Sequence, residues 1–401
     1  MQARFISPMC CVATLLAPGV VSACDGAEGR LQLQLNHFAE QARWPGQTPD
    51  KTTGRAALQL SCLLPTGADS GIDIDVYGDY DSAAAESWFD PRNLHYYVDL
   101  DQMTFAAGYQ QKPVGHLEAE QINNLYNPKS YRRGLFDSRS QGRFSVGAIY
   151  RRESWLLHAD LMPLKQVEEW AGEKGRFRRG GFVASDEEYA RGSDVSAQLR
   201  WDYFSGNWEL SGILWHGLSP QSLVRPSAEE PGALIDYYER IDQAGFSALY
   251  LLDNLSLKAD VYFRSSPQRQ LIGAAAGLAW QTYGLFGSRA DSNLFLESYY
   301  LQEQSADDDG SGGNLPSSFD RDLYAGGRIN FNDNANSELE AGVVADVKLG
   351  SLSGYLQLTR SLLPQLEYEA GLQWFSTDSR DIALSGFEND SHIYFKLVWY
   401  L

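Results

Sequence analysis

From residue 31 to the last residue, apolar and polar side chains alternate with a period of two, in segments of 7 to 12 residues that end at Gly, Asn, Asp, Ser or Pro. Such alternation with such breakers predicts β-strands. In 256–264, Leu257, Ala259, Val261 and Phe263 share one face, and Lys258, Asp260, Tyr262 and Arg264 share the other. The same division runs through 195–204, 338–347 and 366–375. Eighteen segments qualify: 31–37, 55–62, 70–80, 93–101, 103–110, 142–151, 154–162, 193–204, 207–217, 244–253, 255–264, 271–282, 291–301, 322–331, 337–347, 351–360, 366–376 and 391–401. The first is the weakest, so 16 strands stays an open count.

A β-sandwich also alternates, but it turns the apolar face inward and uses strands of about 5 to 6 residues. Strands of about 10 residues, with aromatics at the ends of the apolar face and ionised residues opposite, fit a transmembrane antiparallel up-and-down β-barrel. The links agree with this all-β reading. Those at 101–102, 152–153, 205–206, 253–254 and 332–336 are short, whereas 38–54, 81–92, 111–141, 163–192, 218–243, 302–321 and 377–390 are long. Short turns toward the periplasm and long loops outside are the asymmetry of bacterial outer-membrane barrels. Two links, 265–270 and 348–350, are short where this scheme calls for length. No run reaches the roughly 18 to 20 apolar residues of a spanning helix, so strands must do the crossing.

Composition narrows the partners. The 401 residues carry 33 Lys and Arg against 52 Asp and Glu, a net charge of −19. That excludes nucleic acid, whose binding requires a basic surface that releases counterions. Residues 1–23 combine Arg4, an apolar middle and the small-residue end Val21-Ser22-Ala23, the pattern of a secretory signal. One barrel domain, 24–401, then remains, with Cys24 and Cys62 as its cysteines. In an oxidising compartment they are expected to pair, and strand parity puts Cys62 at the periplasmic end of its segment. The alternative is a lipid on Cys24, because the residues before it are similar to a permissive lipobox.

With apolar faces toward lipid, the lumen receives the basic residues Arg200, Lys258, Arg264, Arg328 and Lys396. It also receives the acidic residues Asp202, Asp260, Glu338, Glu340, Asp346, Glu367 and Glu369. A charge facing lipid costs roughly 2 to 4 kcal/mol at mid-depth, so this parity is close to forced. The five carboxylates of 337–347 and 366–376 are placed to form one wall, with Arg200, Lys258, Arg264 and Arg328 forming another. Opposed walls set up a transverse field that favours polar solutes. The alternative is that these charges pair and fill a wet interior. Loops 111–141 and 163–192 carry Arg132, Arg133, Arg139, Arg178 and Arg179. They are either a constriction that folds inward and grips carboxylate or phosphate, or solvated surface loops. The run Asp307-Asp308-Asp309 reads as an external loop. Metal, phosphate-loop and nucleophile motifs are missing and the six His are scattered, so no catalytic residue, metal or cofactor is assigned.

In 391–401, Ile393, Phe395, Leu397, Trp399 and Leu401 alternate with His392, Tyr394, Lys396 and Tyr400. This resembles the terminal strand read by the outer-membrane assembly machinery, although such strands usually end in an aromatic. The stretch from Phe105 to Gly115, then Ile122 to Pro128 with its Asn127-Pro128 pair, then Arg143 opening a strand, is similar to a pattern in proteobacterial alginate-export-type and related porin-like barrels. Pro113-Val114-Gly115 stands where that pattern has Trp-Gly. The resemblance implies passage of a solute or polymer across the outer membrane, while the acidic wall argues against a polyanion. The expected function is a channel for a hydrophilic small molecule or saccharide. A plugged structural or assembly barrel of an envelope complex is the alternative, and a lipid-facing hydrolase with a Ser/His pair at one depth stands third.

Overall fold

In a computed structural model the alternating segments become strands, because period-two patterning separates a face that lipid can solvate from one that water and side chains can. The structure describes residues 24–179, 183–226, 234–305, 319–381 and 384–401. The expected leader, 1–23, and the acidic run 307–309 lie outside the described residues. The strands are β1 (Asp25–Phe38), β2 (Thr52–Gly67), β3 (Ser70–Asp81), β4 (Glu86–Leu100), β5 (Met103–Gln110), β6 (Arg143–Arg152), β7 (Trp155–Met162), β8 (Ser196–Ser205) and β9 (Trp208–Leu218). The second half comprises β10 (Arg240–Leu252), β11 (Leu255–Ser265), β12 (Arg269–Thr282), β13 (Asp291–Ser305), β14 (Asp322–Asn330), β15 (Glu338–Asp346), β16 (Leu352–Leu363), β17 (Leu366–Ser376) and β18 (His392–Tyr400). Each pairs antiparallel with the next, and β18 returns to β1 with Arg30 opposite Tyr400 and Phe38 opposite His392. The 18-stranded sheet is thereby closed.

Side-chain parity is as expected. Leu33 and Leu35 are 51% and 60% exposed on the outside, while Gln32, Gln34 and Asn36 are 3%, 9% and 1% exposed inside. At the barrel end where the short turns lie, the outer face carries Phe204, Trp208, Trp280, Phe331 and Trp399, all exposed, at the level where an aromatic girdle meets head groups. These short turns are tight, and Asp101, Gly206 and Asp253 take φ of 53°, 56° and 42° there, the left-handed conformations of two-residue hairpins.

Three expectations are corrected. Segment 31–37 is no weak strand: β1 starts at Asp25 and pairs along both sides, with β2 and with β18. The long loop expected at 81–92 is a turn over 82–85, and β4 already starts at Glu86. Pro91 concealed it. Pro91 and Arg92 together face Val76 at a register shift, and a bulge accommodates a residue that has no N–H to donate. The links 163–192 and 218–243 contain an external sheet in which Val183–Tyr189 runs parallel to Leu234–Tyr238, which pairs with Leu223–Pro226.

An arginine replacing Leu33 would sit in lipid near mid-depth, and should destabilise the folded barrel by roughly 2 to 4 kcal/mol. Reversible unfolding from lipid vesicles measures this; no loss would show that this face does not meet the membrane core.

Candidate functional site

The chain between β5 and β6, 111–142, turns into the barrel. Gly115, at φ +98°, lies so near β11 that a Cβ there would stand 3.0 Å from Asp260 Oδ2. Beyond it, Glu297 of β13, only 1% exposed, accepts the N–H groups of Glu118 at 2.7 Å and Ala119 at 3.0 Å. The Tyr299 hydroxyl accepts the Glu120 N–H at 3.0 Å and donates to Glu297 at 2.6 Å. Asn123 donates to Phe246 O and Ser247 Oγ of β10, both at 3.0 Å. Asn127 clamps the stems of the loop: its amide donates to Gln110 O at 3.2 Å and Gln141 O at 2.8 Å, and its oxygen accepts the Lys112 N–H at 2.8 Å. Here the residue of the Asn-Pro pair closes the loop.

Across the lumen the same loop reaches β1–β3. Arg133, buried, donates to Asp79, the Tyr77 hydroxyl and Gln34, each at 2.9 Å, and to Asp137 at 2.7 Å. Arg139 lies over the Tyr77 ring, 4.2 Å from its centroid. Arg132 bonds Glu169 at 2.9 Å. The second long loop covers the mouth. Phe177 packs on Phe38 and His392, Arg176 bonds Asp390 at 3.0 Å, Arg179 meets Asp236 at 3.0 Å and Glu168 at 3.4 Å, and Arg178 donates to Pro45 O at 3.3 Å. The loop arginines, read either as a grip on a solute anion or as solvated surface residues, tie loops to one another and to the wall.

The expected opposed walls give way to pairs. Arg328, expected in the basic wall, meets Glu338 at 3.3 Å and Glu340 at 3.2 Å of the wall expected to be acidic, and Lys396 on the neighbouring β18 bonds Glu369 at 2.7 Å. Arg200 donates to Asp202 at 2.7 Å and to Pro113 O at 2.7 Å, and Lys258 bonds Glu118 at 2.7 Å. The reason is that a charge withdrawn from water needs a partner at contact distance. Arg264, 2% exposed, is sealed beneath Gln243 and Gln221 and so lines no open passage. Asp346 accepts the Lys348 and Leu349 N–H groups at 2.7 and 2.8 Å and shapes the following turn. Glu367 shares the inward parity of Glu369. Cys24 and Cys62 are joined with Cα atoms 5.6 Å apart. Phe395, Trp399 and Leu401 are exposed on the lipid side.

Between the inward loop and strands β14–β18 remains a cavity of about 440 Å³. The loop side presents Glu118, Glu120 and Lys129, and the wall presents Glu340, Tyr324, Tyr355, Tyr394, Gln357 and Gln373. Lys129 bonds Glu120, Tyr355 donates to Glu340 at 2.9 Å, and Tyr394 donates to Gln357 at 2.9 Å. Of these, Glu340 alone was singled out from sequence. The tyrosines and glutamines were legible as inward positions of their strands. Glu297 carried a signal too, as a lone carboxylate among apolar residues.

On the outer face His216 Nδ1 and Asp242 lie 2.6 Å apart, and Ser265 stands opposite Asp242 on β11. Asp242 thus separates His216 from Ser265 by two strand spacings, about 10 Å. A hydrolase base must reach its nucleophile within a hydrogen bond, so this row lacks the arrangement a lipid-facing hydrolase would need.

An 18-stranded closed barrel with an apolar exterior and an inward loop has the architecture of a transmembrane β-barrel. No family model and no curated protein matches the sequence. Among solved structures, Wzi of Escherichia coli, titled an outer-membrane protein involved in group 1 capsule assembly and a carbohydrate-binding β-barrel, aligns with TM-score 0.53 at 11% identity over 100% of this chain and 89% of its own. OccAB1 of Acinetobacter baumannii aligns with TM-score 0.52 at 10% identity over 94% and 97%, and a BenF-like porin of Pseudomonas fluorescens with TM-score 0.52 at 9% over 94% and 99%. These likenesses show the fold. They give no family-level evidence for the alginate-export type.

Burial alone would raise the Asp137 carboxyl, but Arg133, with Lys396 and Arg139, outweighs it and holds the group below the usual carboxylate range. A lowered folded-state pKa contributes stability above the unfolded value near 4, and that contribution is lost as pH falls through the folded value. The loop tie should therefore loosen below about pH 4. Limited proteolysis should cut within 111–141 in acid and spare it at neutral pH, and Asp137→Asn should bring cleavage at neutral pH. Full protection of the variant would show that Asp137 does not hold the loop.

Proposed function

We propose that this protein is a narrow outer-membrane channel for small hydrophilic solutes, of saccharide or polyol type, that favours neutral and cationic species over anions. The cavity beside the inward loop carries the reading. Its lining sets three carboxylates against one ammonium, together with tyrosine and amide side chains. Amides and carboxylates match sugar hydroxyls and ring faces cover their C–H surfaces; each of the three carboxylates is paired, with Lys258, Lys129 or Arg328, and it is the chain's net charge of −19 that disfavours anions. Wzi is titled carbohydrate-binding and OccAB1 and the BenF-like porin share the fold, which supports the saccharide and channel parts of the reading. Of the alginate-export-type resemblance we keep the passage of a hydrophilic solute and leave out a polyanion. The mature domain is taken to begin at Cys24 after export, with 391–401 presented to the assembly machinery.

A second reading, a plugged barrel within an envelope complex, is favoured by the apolar clusters inside the lumen. Leu117 and Ile122 pack with Tyr262, Leu271 and Tyr299, and Leu125 and Tyr126 pack with Met162, Trp215 and Ile241.

Single-channel recording in a planar bilayer separates the two. A channel should give steady open steps with cation preference, and Glu340→Gln with Glu120→Gln should lower the cation-to-anion permeability ratio by roughly two- to threefold. Silence from protein that has demonstrably folded would sink the channel and favour the plug.

A further inference from the structure

The lipid-facing surface of β5–β11 carries a depression of about 770 Å³ that the channel does not use. Register explains its floor. At one level Ala148, Ala159, Leu199, Leu214, Ala244 and Phe263 stand opposite one another on successive strands. One level nearer the outside come Leu161, Ala197, His216, Asp242 and Ser265. Alanines set between larger side chains sink the surface into a groove. Barrel strands tilt by about 35 to 45°, so a row perpendicular to them runs obliquely into the membrane. Phe263 lies near the extracellular end of β11, whereas Ala148 lies in the middle of β6. The groove therefore descends from the outer rim toward mid-membrane, the path of an extended acyl chain.

Its upper end is polar. His216 and Asp242 remain 67% and 73% exposed although they bond each other, and Arg240 occupies the next outward position of β10. Such groups are tolerated on the lipid face only near the interface, which places them at head-group level. The Arg240 guanidinium, which also donates to Ser193 O, and the imidazole edge of His216 turned away from Asp242 suit a phosphate, and the exposed edges of Asp242 and Ser265 suit sugar hydroxyls. We infer that the groove holds an acyl chain of a phosphorylated glycolipid of the outer leaflet, with the phosphate on His216 and Arg240 and the sugar on Asp242 and Ser265.

Native mass spectrometry of the full chain, extracted in mild detergent from membranes containing lipopolysaccharide and phospholipid, tests this. Wild-type protein should retain the phosphorylated glycolipid. Ala159→Phe with Ala244→Phe fills the groove and should cut retention roughly tenfold, while heat-modifiable migration reports an intact barrel. His216→Gln with Arg240→Gln leaves the groove open and should cut glycolipid retention several-fold without affecting phospholipid. Equal retention in the filled variant, phospholipid as the sole bound lipid, or a dimer that the filling substitutions dissociate would each overturn the assignment, the last by placing a second copy in the groove.

Discussion

Closure of the hydrogen-bonded ring is the constraint on which everything else depends. In hydrocarbon an unpaired backbone N–H or C=O costs several kcal/mol, so a sheet enters lipid only when it has no edge. Here the seam is the pairing of β1 with β18. Once the ring is closed, a side chain has two destinations, lipid or lumen, and period two assigns each residue to one of them. A slip of one residue in any strand would exchange the two sets, carrying Glu340 or Lys396 into the membrane core.

A ring of this circumference encloses more space than the wall side chains can fill, and the inward loop takes up much of it. It is held by bonds that involve ionised partners. Glu297 alone accepts two loop N–H groups, and Arg133 makes four contacts, to β1, to β3 twice and to its own loop. Bonds to charged groups contribute about 1.5 to 3 kcal/mol each, against about 1 for neutral pairs. Their larger effect is on the alternative states. A loop that left the lumen would leave Glu297 and Asp79 in a partly desolvated interior with one tyrosine hydroxyl each, Tyr299 and Tyr77, in place of their loop partners, at a cost greater than the bonds themselves contribute.

The barrel was legible because one period, repeated, decides it; all eighteen segments reappear as strands even where the ends shift. Pro91 shows the limit of that reasoning. Proline breaks a regular strand, and nothing local announces that a bulge opposite Val76 will admit it. The loop conformations were less legible still. Arg132, Arg133 and Arg139 read equally well as solvated residues, as anion-binding residues or as ties, and the choice depends on Asp79, Tyr77 and Glu169, which are remote in sequence. The same distance conceals how lumen charges group. Alternation places Arg328 and Glu340 inside, but only the β14–β15 register makes them neighbours.

The loop is not anchored evenly, and this bears on passage. Its strongest ties run to β1–β3 on one side and to β8, β10, β11 and β13 on the other. Toward β16 and β17 it meets the wall through Phe136, whose ring centroid lies 5.2 Å from that of Tyr355 and 5.9 Å from that of Phe375. The cavity lies on that same side. Aromatic contacts of this kind are worth about 0.5 to 1.5 kcal/mol beyond area burial, less than a buried ion pair costs to break. Widening the space against β16 and β17 therefore leaves the buried ion pairs intact, so the ties across the rest of the lumen are compatible with the path proposed along this side.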